Sequence, residues 1–154
     1  AIATYPMYRG IAKVLGMDVK EEPGSYEEAV NILKKNYNDY QFFFFHVKET
    51  DLAGEDGNFK EKVKAIEDVD RFLPGISALD PQALVITGDH STPCPLKGHS
   101  WHPVPLLIVT KTGETDGLAF HEKNCIVGSA GTIYSKELMP LALAHGGRLD
   151  KYGA

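Results

Sequence analysis

The stretch VITGDHSTPCPLKGHSWHPVP, Val85 to Pro105, gathers Asp89, His90, His99 and His102 around Cys94 and four prolines. A second acidic group, Asp51, Glu55 and Asp56, stands in KETDLAGEDGN. Carboxylate with imidazole is a donor set for zinc or manganese, harder than a thiolate site and softer than an all-oxygen one. A dication held there gathers phosphate oxygens or activates an oxygen nucleophile. Taken singly, an Asp-His pair serves equally as a helix cap beside a surface imidazole. Taken as a set after two apolar strands, these residues point to metal ligation. The prolines restrict the backbone, so acid and imidazole groups would be held ready beside a strand end. Cys94, between two prolines, reads as a buried spectator thiol. Lys48 could meet an anionic substrate and reads equally as a solvated lysine. His46 reads as a core histidine.

The elements that must position these groups follow from periodicity. Met7 to Leu15 carries Ile11, Val14 and Leu15 on one helical stripe, with Gly16 at the C′ position. Ser25 with Glu28 three residues on forms a capping box for a second helix, whose apolar face is Ala29, Val30, Ile32 and Leu33. YQFFFFHV, Tyr40 to Val47, lacks polar alternation and predicts a strand covered on both faces. KETDLAGEDGN then reads as a glycine-bearing loop. Phe59 to Phe72 predicts a helix with Phe59, Val63, Ile66, Val69 and Leu73 inward, interrupted at Pro74-Gly75. ALVIT (83–87) and PLLIVT (105–110) predict two more buried strands, Lys111 to Gly117 a polar turn, and Ser135 to Ala144 a last helix kinked by Pro140. This order predicts an α/β fold with a mainly parallel sheet flanked by helices. Ligands in open α/β sheets collect beyond the carboxyl ends of strands. Both chemistry-bearing loops begin at such ends.

A chain of 154 residues, 43% apolar and 24% charged, predicts a single domain over residues 1–154 with an ordinary core. A net charge of −5, with lysines spread among glutamates, argues against a nucleic-acid partner. No apolar run approaches the ~20 residues of a membrane span, so no membrane partner is expected. Two cysteines make no disulfide framework and suit a reducing, cytoplasmic setting. Ala1 in place of an initiator Met suggests a start that is trimmed, processed or cut from something longer, and Ala1 to Met7 does not read as a signal peptide.

The segments HVKETDLAGEDGNFKEKVKAIEDVD, VITGDHSTPCPLKGHSWHPVPLLI and ELMPLALAHGGRLDKYGA resemble the C-terminal portion of archaeal-type, cofactor-independent (2,3-bisphosphoglycerate-independent) phosphoglycerate mutases of the alkaline phosphatase superfamily. YRGIAKVLGM is similar to the stretch where that family's chain returns from its inserted domain. The resemblance implies a partial alkaline phosphatase-like core and the interconversion of 3-phosphoglycerate and 2-phosphoglycerate. In that family a serine alkoxide between two divalent ions takes the phosphoryl group and returns it to the neighbouring oxygen. Carried onto this sequence, one ion falls to Asp51, Glu55 and His99. The other falls to Asp89 and His90, with an aspartate and the nucleophilic serine from the family's N-terminal region. The implied cofactor is a divalent metal, manganese or zinc with magnesium as a further option, at low occupancy.

Two departures qualify the transfer. No stretch resembles the family's segment bearing that aspartate and serine, so no catalytic nucleophile is assigned; Ser91 and Ser100 do not match its position. Glu55 stands where the family has histidine, replacing a neutral imidazole with an anion and favouring a harder ion. The expectation is a metal-site half of a mutase, weakly active or inactive alone, that acts on a small phosphorylated substrate where a nucleophile is supplied. The alternatives are a non-catalytic metal-binding or scaffold descendant, or a metal-dependent phosphate-ester or phosphonate hydrolase. An apolar strand such as Gln41 to Val47 without covering partners also predicts homo-oligomerisation.

Overall fold

The computed structural model describes residues 1–111, 113 and 115–151. The expected turn at Lys111 to Gly117 falls in part outside the described residues, at Thr112 and Glu114, as do Tyr152, Gly153 and Ala154 of the terminal motif. The chain packs as two compact units, Ala1–Asp80 with Thr92–Gly98, and Pro81–Ser91 with His99–Ala154.

The first unit is helical. Helix α1 (Pro6–Val14) ends at Gly16, whose φ of 75° suits glycine alone. Helix α2 (Tyr26–Asn36) opens at Ser25, whose hydroxyl accepts from the Glu28 amide at 3.1 Å. The Glu28 carboxylate reaches back to the Gly24 amide at 2.7 Å, one residue earlier than a standard capping box. Its predicted apolar face is the buried one: Ala29, Ile32 and Leu33 enclose Ile2, only 1% exposed, with Tyr37, Phe43, Phe45, Ile76 and Leu79 around them.

Four expectations are corrected here. The stretch Gln41 to Val47 is not a strand; it makes one parallel bridge, Phe45 with Ile2, through Ile2 N–H to Phe44 O at 2.8 Å and His46 N–H to Ile2 O at 3.0 Å. Phe43 and Phe45 pack against the α2 cluster without a ladder. KETDLAGEDGN is not a loop but largely helix α3 (Glu49–Glu55), with Lys48 at its N-cap. Glu49 and Asp51 in its first turn oppose the helix dipole, and Gly57 at φ 70° leads out of it. Helix α4 (Phe59–Asp70) forms as predicted behind an Asn58 cap, but turned. Phe59 and Ile66 are 70% and 53% exposed, and Ala65 is buried. Lys62 shares the packed face because its ammonium donates to Thr92 O at 2.6 Å, laying its alkyl stem on the protein. Pro74 starts the short helix α5 (Leu73–Ser77) rather than only ending α4.

The second unit holds strands β1 (Ala83–Thr87) and β2 (Leu106–Thr110), paired from Ala83 with Thr110 to Thr87 with Leu106. The α/β class is as read. The pairing is antiparallel, however, and is the one sheet among the described residues. A parallel pair needs a crossover, usually a helix, and residues 88–105 contain none. Beyond β2 come a short α6 (Glu122–Cys125), not foreseen, and α7 (Leu138–His145), which lies against β1. Pro140 falls in the first turn of α7, where its missing N–H costs nothing, so it helps begin that helix instead of kinking it. Among the described residues, no helix is long and apolar enough to cross a membrane.

Candidate metal centre

In the first unit the helical start of α3 fixes Asp51. Oδ1 accepts from the Thr92 hydroxyl at 2.5 Å, and Oδ2 takes the ammonium of Lys48 in a short ion pair. Both side chains of the pair are largely shielded, Lys48 15% and Asp51 13% exposed. Asp51's hydrogen bond, outweighing partial burial, raises the Lys48 pKa above the ordinary lysine value. Lys48 also stands 5.0 Å from the Tyr5 ring centre, close enough for a cation–π contact. It therefore meets a carboxylate of its own chain. Helical geometry places Glu55 one turn after Asp51, on the same face of α3.

Thr92 is the anchor of this arrangement and is 4% exposed. Its hydroxyl holds Asp51 and its carbonyl accepts from Lys62. Gly54 lies beneath it with no room for a side chain: a Cβ there would lie 2.9 Å from Thr92 Cγ2, 3.0 Å from Lys62 Nζ and closer still to the Thr92 carbonyl oxygen. Cys94 is buried two residues on, its Sγ 3.8 Å from Ala53 O. It is a free thiol, as is Cys125.

In the second unit the strands continue past their ladder as a looser ribbon. Thr87 Oγ1 donates to Pro105 O at 3.0 Å, and Ser91 bridges Ser100 through a 2.9 Å backbone hydrogen bond. That antiparallel bridge sets His90 opposite Trp101 and makes His99 its diagonal neighbour on the same face. The imidazoles lie close accordingly, ring centres 3.9 Å apart and tilted by 34°. Asp89 is more exposed, with Oδ2 3.6 Å from His90 Nε2 and Oδ1 accepting the His90 amide at 3.1 Å. His102 stands apart from this pair in its contacts, sharing a 2.8 Å hydrogen bond with Ser100 Oγ and stacking on Trp101 at 4.5 Å. Taken unit by unit, the donor types are ones a divalent cation accepts: neighbouring imidazoles in the second unit, a shielded carboxylate in the first.

The sequence reading overlooks Thr92, Gly54 and Lys62, which touch or fix a candidate ligand. Thr92 was visible only as part of the Gly-Asp-His-Ser-Thr-Pro motif. The Asn58-x-x-Glu61 spacing marked the cap of α4, whose 3.2 Å bond from the Glu61 amide to Asn58 Oδ1 helps set the Lys62 face.

Comparison with known proteins agrees with this donor chemistry. The model of the metalloenzyme superfamily matches residues 3–145. Over 155 residues the chain is 58% identical to a probable 2,3-bisphosphoglycerate-independent phosphoglycerate mutase of Thermotoga neapolitana. It is 55% identical over 156 residues to the protein of that name from Thermosipho africanus, and 52% over 158 to one from Thermus thermophilus. Each comparison takes in 100% of this chain and 39% of the relative, so the chain spans well under half the length of these curated relatives. The solved PH0037 protein of Pyrococcus horikoshii superposes with a TM-score of 0.91 at 32% identity, over 99% of this chain and 50% of that one. Superfamily membership implies the use of divalent metal. Fold and sequence converge: the chain belongs to the metalloenzyme superfamily.

Proposed function

We propose that this chain supplies metal-holding residues of a cofactor-independent phosphoglycerate mutase, acting in the interconversion of 3-phosphoglycerate and 2-phosphoglycerate. The observation that carries the reading is 58% identity across the whole of this chain to a relative named as such a mutase. Asp51, Glu55 and His99 would hold one divalent ion, and Asp89 and His90 would hold part of another. Such ions, manganese or zinc with magnesium as a third option, would neutralise phosphoryl charge and lower the pKa of an attacking oxygen. The close approach of His90 to His99 and the fixing of Asp51 by Thr92 support these roles, because a site works only if its donors are oriented beforehand. No serine of the chain is assigned as nucleophile, so the 154-residue polypeptide alone is expected to turn over 3-phosphoglycerate poorly. Its proposed partners are a small phosphorylated substrate and a second copy of the chain, the latter checked by sedimentation.

Elemental analysis tests the reading. The purified chain should carry substoichiometric manganese or zinc, and Asp89→Ala and His99→Ala should each lower the content while circular dichroism stays unchanged. Equal metal in all three proteins would remove these residues from the site.

A further inference from the structure

We infer that Lys48 is a built-in counter-ion of Asp51, resting on the carboxylate oxygen that a divalent cation uses and withdrawing whenever metal is held there. The inference depends on the reading of Asp51 as a metal ligand. One oxygen of Asp51 accepts from the Thr92 hydroxyl. Thr92 is buried, its carbonyl bonded to Lys62 and its main chain pressed against Gly54. The carboxylate is therefore oriented from behind, and the oxygen that carries Lys48 is the second one.

The Lys48 ammonium is the right surrogate. It supplies one positive charge and three donors but no lone pair, so it balances the carboxylate without mimicking coordination. With both side chains mostly shielded, the pair is screened far less than a surface ion pair. The Tyr5 ring at 5.0 Å gives the ammonium a second support. Release needs no change in α3: Lys48 is only its N-cap residue, and the four-carbon stem can swing the ammonium toward water. A dication on Asp51 would also repel the ammonium, making the two occupants mutually exclusive. Lys48 thus balances charge on the metal-free carboxylate, at the cost of weaker metal uptake.

Manganese titration of the 154-residue chain at one fixed pH, with free ion followed by electron paramagnetic resonance, tests this. Lys48→Met and Lys48→Gln remove the competing charge and should bind about tenfold more tightly, the size of one charge-assisted hydrogen bond. Lys48→Arg keeps the charge and should stay near wild type. Asp51→Asn should abolish the gain when combined with Lys48→Met. If wild type binds manganese and the Met and Gln variants bind no more tightly, or more weakly, the counter-ion role is wrong while the metal reading stands. If none of the proteins takes up manganese, the metal reading fails first and takes the inference with it.

Discussion

Gly54→Ala is the sharpest probe of how the first unit holds Asp51. Considered locally, alanine should help, because glycine inside a helix costs about 0.5–1 kcal/mol relative to alanine. The packing predicts the opposite. The added methyl would overlap the Thr92 carbonyl and crowd Thr92 Cγ2 and Lys62 Nζ, at 2.9 and 3.0 Å. The Lys62 end is flexible, but the Thr92 main chain is not, so α3 and the Thr92 segment must separate. Overpacking of this kind costs about 1–3 kcal/mol, and losing the Lys62–Thr92 charge-assisted bond adds about 1.5–3 kcal/mol. After the propensity gain, the expected net loss is about 1.5–5.5 kcal/mol, roughly 3–22 °C in Tm for a chain of this size. Gly10→Ala in α1 is the matched control, since a Cβ there meets nothing within 4 Å; it should gain about 0.5–1 kcal/mol. Urea unfolding of both variants decides the matter. A Gly54→Ala protein as stable as wild type would mean that the close approach of α3 to Thr92 does not constrain the fold.

Two further perturbations address the same unit. Ser25→Ala should cost about 1 kcal/mol through the lost α2 cap, read by urea unfolding, whereas Ser25→Asp should restore it; equal loss in both would deny the capping role. Tyr26 donates to Glu49 at 2.6 Å, and burial first, then that carboxylate, raise its pKa well above the ordinary value of 10.0. A pKa raised in the folded state gives stability that is complete below the unfolded value, about 10, and is lost as pH climbs toward the folded one. Tyr26→Phe should therefore show a shallower stability loss than wild type above pH ~10, and parallel alkaline limbs would refute the assignment.

What the sequence made legible divides along the range of the interactions involved. Helix α2 was readable to its cap because Ser25, Glu28 and the apolar positions 29, 30, 32 and 33 act within one or two turns. Strands β1 and β2 were readable as elements, yet their antiparallel direction was not: an unbroken apolar run records burial, and direction depends on the connection, here residues 88–105 without a helix. The Gln41–Val47 stretch failed for the same reason, since strand propensity supplies no partner and the described residues offer it only a bridge to Ile2. In α3 the glycines and acidic residues of KETDLAGEDGN read as a loop, although the stretch is largely helix.

The site itself was legible as chemistry and not as support. Asp51, Asp89, His90 and His99 announce themselves by side-chain type, because few residues offer lone pairs to a cation. Thr92, Gly54 and Lys62 belong to residue types found on any surface; only their meeting, across 30 residues and more of chain, gives them a function. The same distinction explains Lys48. Its charge read equally as a substrate contact or a solvated lysine, while its place at the N-cap of α3, three residues before Asp51, brings it to a carboxylate. A lysine so placed is informative because it marks a carboxylate oxygen that holds positive charge. The expectation for Glu55 follows directly: an additional anion one turn beyond Asp51 strengthens that hold, so Glu55→Gln should weaken manganese binding more than it weakens folding.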